Sequence, residues 1–230
     1  MITEEQNNAI GKLQSFITPL HQLSKREYLP RMNDDKVHCM NVAKQYGADY
    51  WDGERRYGYG GYFYRPGYWT SVAQNLIDTY NLRPGSKVFD IGCGKGFLLH
   101  ELLLLEPQLQ ILGTDISQYA ISQATELVKP FLKIHDARGQ FLWDDNEFDL
   151  VISVNMLHNL RVFDLESALR EIQRIGKSKY VAVESYRSDL ELFNLQCWAK
   201  TCESFFDFDE WIWMFKKISY SGDYEFIYFE

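Results

Sequence analysis

Residues 88–97 read Val-Phe-Asp-Ile-Gly-Cys-Gly-Lys-Gly-Phe. Four mostly apolar residues of buried-strand character run straight into a glycine turn, and the turn opens into the apolar stretch from Phe97 to Leu105. Glycine tolerates positive φ and lets backbone amides come close to a ligand. Dinucleotide-binding loops space their glycines GxGxxG after a strand. Here glycines occupy alternate positions, Gly92, Gly94 and Gly96, and Phe97 stands where the last glycine of the dinucleotide pattern would fall.

Outward from this loop the pattern alternates. Strands are expected at 87–91, 110–114, 132–135, 150–154 and 180–184, and helices at 96–105, 117–128 and 165–175. Alternation of this kind gives an α/β fold, a doubly wound and mostly parallel sheet covered by helices on both faces. Ligands in such sheets sit beyond the carboxyl ends of the strands. Those ends carry Asp90, Asp115, Asp136 and the run Asn155-Met156-Leu157-His158-Asn159. Asp115 suits a ribose diol and Asp136 an adenine amino group. Asp115 and Ser117 also suit a helix N-cap, and Asp136 a turn.

Together, Asp90 to Gly96, Gly113 to Ser117, Asp136-Ala137, Phe148 to Leu160 and Ala168 to Ile172 resemble the successive signatures of class I S-adenosylmethionine (SAM)-dependent methyltransferases, of the small-molecule type, across roughly residues 85–185. The resemblance implies that SAM is the cofactor. It implies that Gly92, Gly94 and Gly96 hold the methionyl part with Asp90 in support. Asp115 then binds the ribose, Ile116 packs against adenine, Asp136 and Ala137 reach the adenine edge, and Asn155 lies near the methionyl amine. Members of the family close the sheet with a helix and an antiparallel strand pair. Here two helices, 189–203 and 209–217, precede one clear strand at 223–229, so either a sheet strand is missing or the last residues pair differently.

The N-terminal part is different. Ile10, Leu13, Phe16, Ile17 and Leu20 fall at helical spacing and suggest an amphipathic helix from Glu4 to Leu23, kinked or ended by Pro19. A second helix is expected from an Asn33 cap to Gly47. Residues 47–69 then interleave many Tyr and Trp with Gly. This gives an N-terminal unit, 1–68, of helices and an aromatic-glycine lid. A SAM-binding domain follows, 69–230, with a helical insertion at about 188–218. The lid reading puts Arg56, Tyr59, Tyr64, Arg65 and Trp69 on the cofactor and acceptor. Tyrosine faces would attract a sulfonium, and Arg55, Arg56 and Arg65 would pair with a carboxylate or phosphate. The same aromatics would equally serve to pack the N-terminal helices onto the domain.

Methyl transfer needs alignment more than acid, but an alcohol or ammonium acceptor must lose a proton. His158, Glu184 and Tyr186, just past the fourth and fifth strands, are the candidates for that chemistry. A structural ion pair with Arg187 is the other reading of Glu184.

The chain has 230 residues and a net charge of -8, which argues against a nucleic-acid partner because phosphate binding needs clustered cations. No apolar run reaches membrane-spanning length. Four cysteines without metal-ligand spacing suggest free thiols, no metal and a cytoplasmic setting. The expected activity is methylation of a small polar acceptor, at oxygen, on a sugar or carboxylate-bearing metabolite. A non-catalytic SAM-binding subunit and an NAD-dependent oxidoreductase are the competing readings. Nothing in the sequence indicates an oligomeric state.

Overall fold

The computed structural model describes residues 10–230. In chain order the elements are α1 (Thr18–Gln22), α2 (Tyr28–Asn33), α3 (Lys36–Ala43), α4 (Ala48–Trp51) and α5 (Thr70–Thr79). Then come β1 (Lys87–Ile91), α6 (Phe97–Leu105), β2 (Gln110–Asp115), α7 (Gln118–Ser122), β3 (Leu132–Ile134), β4 (Phe148–Val154) and α8 (Val162–Ile175). The chain closes with β5 (Gly176–Glu184), α9 (Asp189–Trp198), α10 (Phe208–Lys217) and β6 (Asp223–Ile227).

The six strands form one sheet in the order β3-β2-β1-β4-β5-β6, and every pair is parallel. Strand side chains alternate between faces, so each strand feeds two cores. Val88 joins the layer under α5 and α6, with Leu76 and Leu102, while Phe89 joins the layer under α8 and α10, with Leu169 and Met214. The strand order reverses between β1 and β4, and that places a crevice at their carboxyl ends.

Of three expectations, two give way to tertiary contacts and one, on the sheet edge, is met. The first is the N-terminal helix. Residues 1–9 lie outside the described residues; beyond them, Leu13 bridges Tyr224 of β6 in parallel, and helix begins only at Thr18, with Pro19 in its first turn. The buried carboxylate of Glu225 explains the change. It accepts hydrogen bonds from the amides of Phe16 (2.6 Å), Ile17 (3.0 Å) and Thr18 (2.6 Å), and from the hydroxyls of Thr18 (2.6 Å) and Tyr180. A helix through Phe16 and Ile17 would spend those amides within itself. The second is the sheet edge. β6 runs parallel to β5, and the 12–14 segment takes the position beside it through Gln14 N–H to Tyr224 O and Tyr224 N–H to Lys12 O. The antiparallel pair usual in the family is thus absent among the described residues, as the single clear strand at the end of the sequence leads one to expect, and one parallel strand with this short addition stands in its place.

The third concerns helix lengths. The helix expected at 117–128 stops at Ser122, because Thr125 is drawn to His100 (2.6 Å) and Val128 packs where a Cβ on Gly96 would otherwise sit. The helix expected to reach Glu203 ends at Trp198, where Ala199 turns extended. Replacing Glu225 by Ala should strand several buried N–H groups. We expect a loss of about 3 kcal/mol or more in stability, measured by urea unfolding.

Candidate active site

Two cavities of about 370 Å³ and 390 Å³ open at the carboxyl ends of β1 and β4. They adjoin across a shared wall that includes Trp51, Tyr59, Gly92, Asn155 and Thr201, and the two together make up the groove at this edge of the sheet. Asp115, Ile116, Asp136 and Ala137 line the second cavity, while Asp90, Gly94, His158 and Glu184 line the first.

The loop glycines need their freedom. Gly94 has φ +56°, and a Cβ there would lie 2.8 Å from the Trp51 ring. The loop amides, however, point into the protein. Gly92 and Cys93 donate to Thr114 O (2.7 and 3.0 Å), Gly94 to Asp115 Oδ2 (2.8 Å) and Gly96 to Cys93 O (2.9 Å). The expected approach of these N–H groups to a ligand is thus corrected: those of Gly92, Cys93, Gly94 and Gly96 are taken up within the protein. Asp115 takes Ser117 N–H on its other oxygen (2.8 Å) and ties the ends of β1 and β2 together. Ser117, not Asp115, caps α7.

Three side-chain amide or carboxyl oxygens on the groove wall are buried without a partner among the described residues: Asp90 Oδ1, Asn155 Oδ1 and Asn159 Oδ1. Burial, reinforced by the charge of Asp115, pushes the Asp90 carboxyl up to about 8. Asn155 is held at φ +54° at the end of β4. Buried acceptors without donors are rare and point to an absent donor. The ammonium of a methionyl group supplies such donors, and the residues present therefore fit SAM. Asp136 grips Arg138 in a turn (Nε to Oδ1, 2.9 Å), which holds its carboxyl below the usual range, while it still lines the second cavity.

A roof of aromatic residues covers the glycine loop. Trp51 stacks on Tyr59 at 5.1 Å, and Tyr62 stacks on Phe97 at 5.0 Å. Trp51 Nε1 donates to Ser117 Oγ (2.9 Å). The buried ammonium of Lys95 meets both oxygens of Asp52 at 2.7 Å, and Asp52 also accepts from Tyr62 N–H and the Tyr119 hydroxyl. Sequence reasoning missed this pair; its trace is the single lysine inside the glycine loop. Of the lid residues named from sequence, Tyr59, Arg65 and Trp69 line the first cavity. Tyr64 and Arg56 line neither cavity. The Tyr64 hydroxyl donates to Glu101 on α6 (2.6 Å), and Arg56 pairs with Asp34 (2.6 Å).

His158 and Glu184 face each other. His158 Nδ1 accepts the Glu184 backbone N–H (3.2 Å), so Nε2 carries the proton, and Nε2 lies 3.3 Å from Glu184 Oε2. Burial pushes the imidazole down to about 3, so it stays neutral. Burial pushes the Glu184 carboxyl up to about 7, with Arg26 pulling the other way. Arg187 is not the partner of Glu184; it binds Glu191 (3.0 Å) and Glu230 (2.7 Å). Tyr186 bridges Asp207 and lines neither cavity. Trp198, Lys200 and Thr201, at the end of α9, do line the first cavity, so the insertion contributes wall to the groove.

A family profile described as a methyltransferase domain matches residues 82–219. The chain belongs to this family. Its domain is that of the class I SAM-dependent methyltransferases. The mitochondrial arginine-hydroxylase NDUFAF5 of Mus musculus is 34% identical over 116 residues, which is 50% of this chain and 33% of that protein. The ribosomal RNA small subunit methyltransferase C of Buchnera aphidicola is 31% identical over 121 residues, 48% of this chain and 33% of that protein. The methyltransferase chain thus spans about a third of the length of these relatives. A solved chain from the Haloferax volcanii complex containing the Trm112 methyltransferase activator superposes with a TM-score of 0.51 at 20% identity, covering 65% of this chain and 74% of that one. That likeness shows the fold. Among the described residues no helix is long and apolar enough to cross a membrane.

The roof clamp is testable. Asp52→Ala leaves the Lys95 charge buried without its carboxylate, a change that costs about 3–5 kcal/mol in comparable pairs. In the double variant Asp52→Ala/Lys95→Met, stability should recover in part while residues 53–68 become open to limited proteolysis.

Proposed function

We propose that the protein transfers the methyl group of SAM to an oxygen of a small polar acceptor, such as a sugar or a carboxylate-bearing metabolite. The observation that carries this reading is the Glu184–His158 pair on the wall of the first cavity. When bound, SAM supplies an electrophilic methyl group on a positively charged sulfur. Asp90 Oδ1, Asn155 Oδ1 and the Gly92 carbonyl side would hold the methionyl end. Asp115, Ile116, Asp136 and Ala137 would hold the ribose and adenine. Trp51 and Tyr59 border the neck between the cavities, where aromatic faces favour a cation.

An alcohol acceptor sheds its proton as its oxygen bonds to the methyl carbon, and Glu184 is placed to take that proton on a carboxylate oxygen. A base near pH 7 combines availability with driving force. His158, neutral, would position Glu184 by accepting its backbone N–H on Nδ1, with Nε2 beside the carboxylate. A cavity of about 370 Å³ suits a small molecule. The net charge of -8 opposes a nucleic-acid acceptor. The free thiols of Cys39, Cys93, Cys197 and Cys202 support a reducing setting such as the cytoplasm.

Adenosylhomocysteine should raise the unfolding midpoint and NAD should not, because only a ligand of the folded state stabilises it. The active form of Glu184 is the deprotonated one, so kcat/KM should rise with pH through about 7 and then level. Glu184→Gln should lower kcat by about 10²-fold or more and abolish that limb. His158→Gln should move the limb while leaving adenosylhomocysteine affinity intact. Cofactor binding without transfer to any member of broad sugar, acid and RNA pools would favour the non-catalytic SAM-binding reading instead.

A further inference from the structure

The far wall of the first cavity is cationic. Arg26, Arg31, Arg55, Arg65 and Lys200 all line it, whereas its only carboxylates among the described residues are Asp90 and Glu184. Three of the guanidinium groups gather on one ring. Their central carbons lie 5.2, 4.4 and 5.0 Å from the Trp198 centroid for Arg26, Arg31 and Arg55. None of the three forms an ion pair with a carboxylate among the described residues. Arg26 donates to the His21 and Ser24 carbonyls (3.1 and 3.0 Å) and to the His21 ring, and its buried Nε has no partner. Arg31 donates to the Trp198 carbonyl (2.9 Å) and the Arg55 carbonyl (2.8 Å), and Arg55 to the Gly58 and Tyr59 carbonyls (2.6 and 3.0 Å). Lys200, also buried, donates to the Arg31 carbonyl (3.2 Å).

Backbone carbonyls fix the direction of these groups but supply no net charge. Gathering like charges in a half-buried wall costs free energy unless a counter-charge arrives. Burial and the neighbouring Arg55 push the Arg31 guanidinium down to about 10, the direction expected where cations crowd together. The chain as a whole is acidic, so a concentration of cations here is a local feature and not a reflection of composition. Fixed guanidinium forks suit the paired oxygens of carboxylates and phosphates.

We infer that the acceptor carries an oxyanion group, carboxylate or phosphate, which Arg26, Arg31 and Arg55 bind around Trp198 while its nucleophilic oxygen faces Glu184. This inference rests on the methyltransferase reading of the same groove and adds the acceptor's charge and its orientation. It also moves the anion contact from Arg56, which is committed to Asp34, to Arg26 and Arg31, which lie on the N-terminal segment.

The test is calorimetric titration of the adenosylhomocysteine-loaded chain with malonate and, separately, inorganic phosphate, against chloride at equal ionic strength. The expected result is one site per chain for at least one anion. Its affinity should fall at least tenfold in Arg31→Gln/Arg55→Gln, while adenosylhomocysteine affinity stays within twofold. The malonate and phosphate arms distinguish the two oxyanions. A methyl-transfer screen over matched neutral, carboxylated and phosphorylated sugars should favour a charged member. Neither anion binding better than chloride, binding unchanged in the double variant, or preference for the neutral sugar would each overturn the inference. Repeating the anion titration without adenosylhomocysteine separates the two readings: anion binding with no cofactor binding sinks the methyltransferase reading and leaves the cradle standing.

Discussion

Lys95 carries a positive charge into an almost fully buried position, and Asp52 meets it with both oxygens at 2.7 Å. A lone buried ammonium is too costly to keep, so the carboxylate must come to the loop wherever the chain between them goes. Asp52 lies at the end of α4, and the residues around it follow. Trp51 is laid on Gly94, Tyr62 on Phe97, and Tyr59 on Trp51. The groove walls are therefore a consequence of one ion pair set beside three glycines. Gly94 is the residue that makes the fit: its amide goes to Asp115 and its missing side chain makes room for the indole.

The same groove separates charge. Asp90 and Glu184 lie where burial makes ionisation unfavourable, and both carboxyls shift upward. A carboxyl raised on folding holds its proton more tightly in the folded state. Each ionisation between the ordinary carboxylate range and about 7 or 8 therefore works against the fold. The cations, by contrast, are collected on the Trp198 wall and held by carbonyls. Arg26 is close enough to oppose the upward shift of Glu184 and also stands in that wall, so it links the two ends of the cavity. The ammonium of the cofactor near Asp90 and an oxyanion of the acceptor near Trp198 would ease both imbalances together, which a neutral acceptor would not do.

What was legible in the sequence is what depends on local period. Val88 to Ile91 and the strands after it announce themselves by apolar runs and glycine punctuation, and the residues at their ends were readable as a site because parallel sheets concentrate ligands there. What was not legible depends on partners far away in the chain. Leu13, Phe16 and Ile17 repeat as a helix would, yet Leu13 bridges Tyr224 and Glu225 claims the amides of Phe16 and Ile17 from more than two hundred residues away. Tyr64 and Arg56 sit among cavity residues in sequence, but Glu101 and Asp34 turn them outward from the groove. Arg26, Arg31 and Trp198 carry no motif. They become a group only when α9 packs on α2, a contact that no spacing rule encodes.

The strand order here is also that of the classical dinucleotide-binding sheet, so topology alone does not select the cofactor. The decision falls on single positions. In a dinucleotide loop the third glycine permits close packing of helix on strand. Here Phe97 stands at that position, almost completely buried, and its ring supports Tyr62 and, through it, the roof. A side chain that denies the loop its dinucleotide spacing thus also builds the enclosure over the glycine loop. Restoring a glycine at 97 would remove the platform without freeing the amides of Gly92, Cys93 and Gly94, which are already bound to Thr114 and Asp115. The loop is committed by its hydrogen bonds as much as by its glycines.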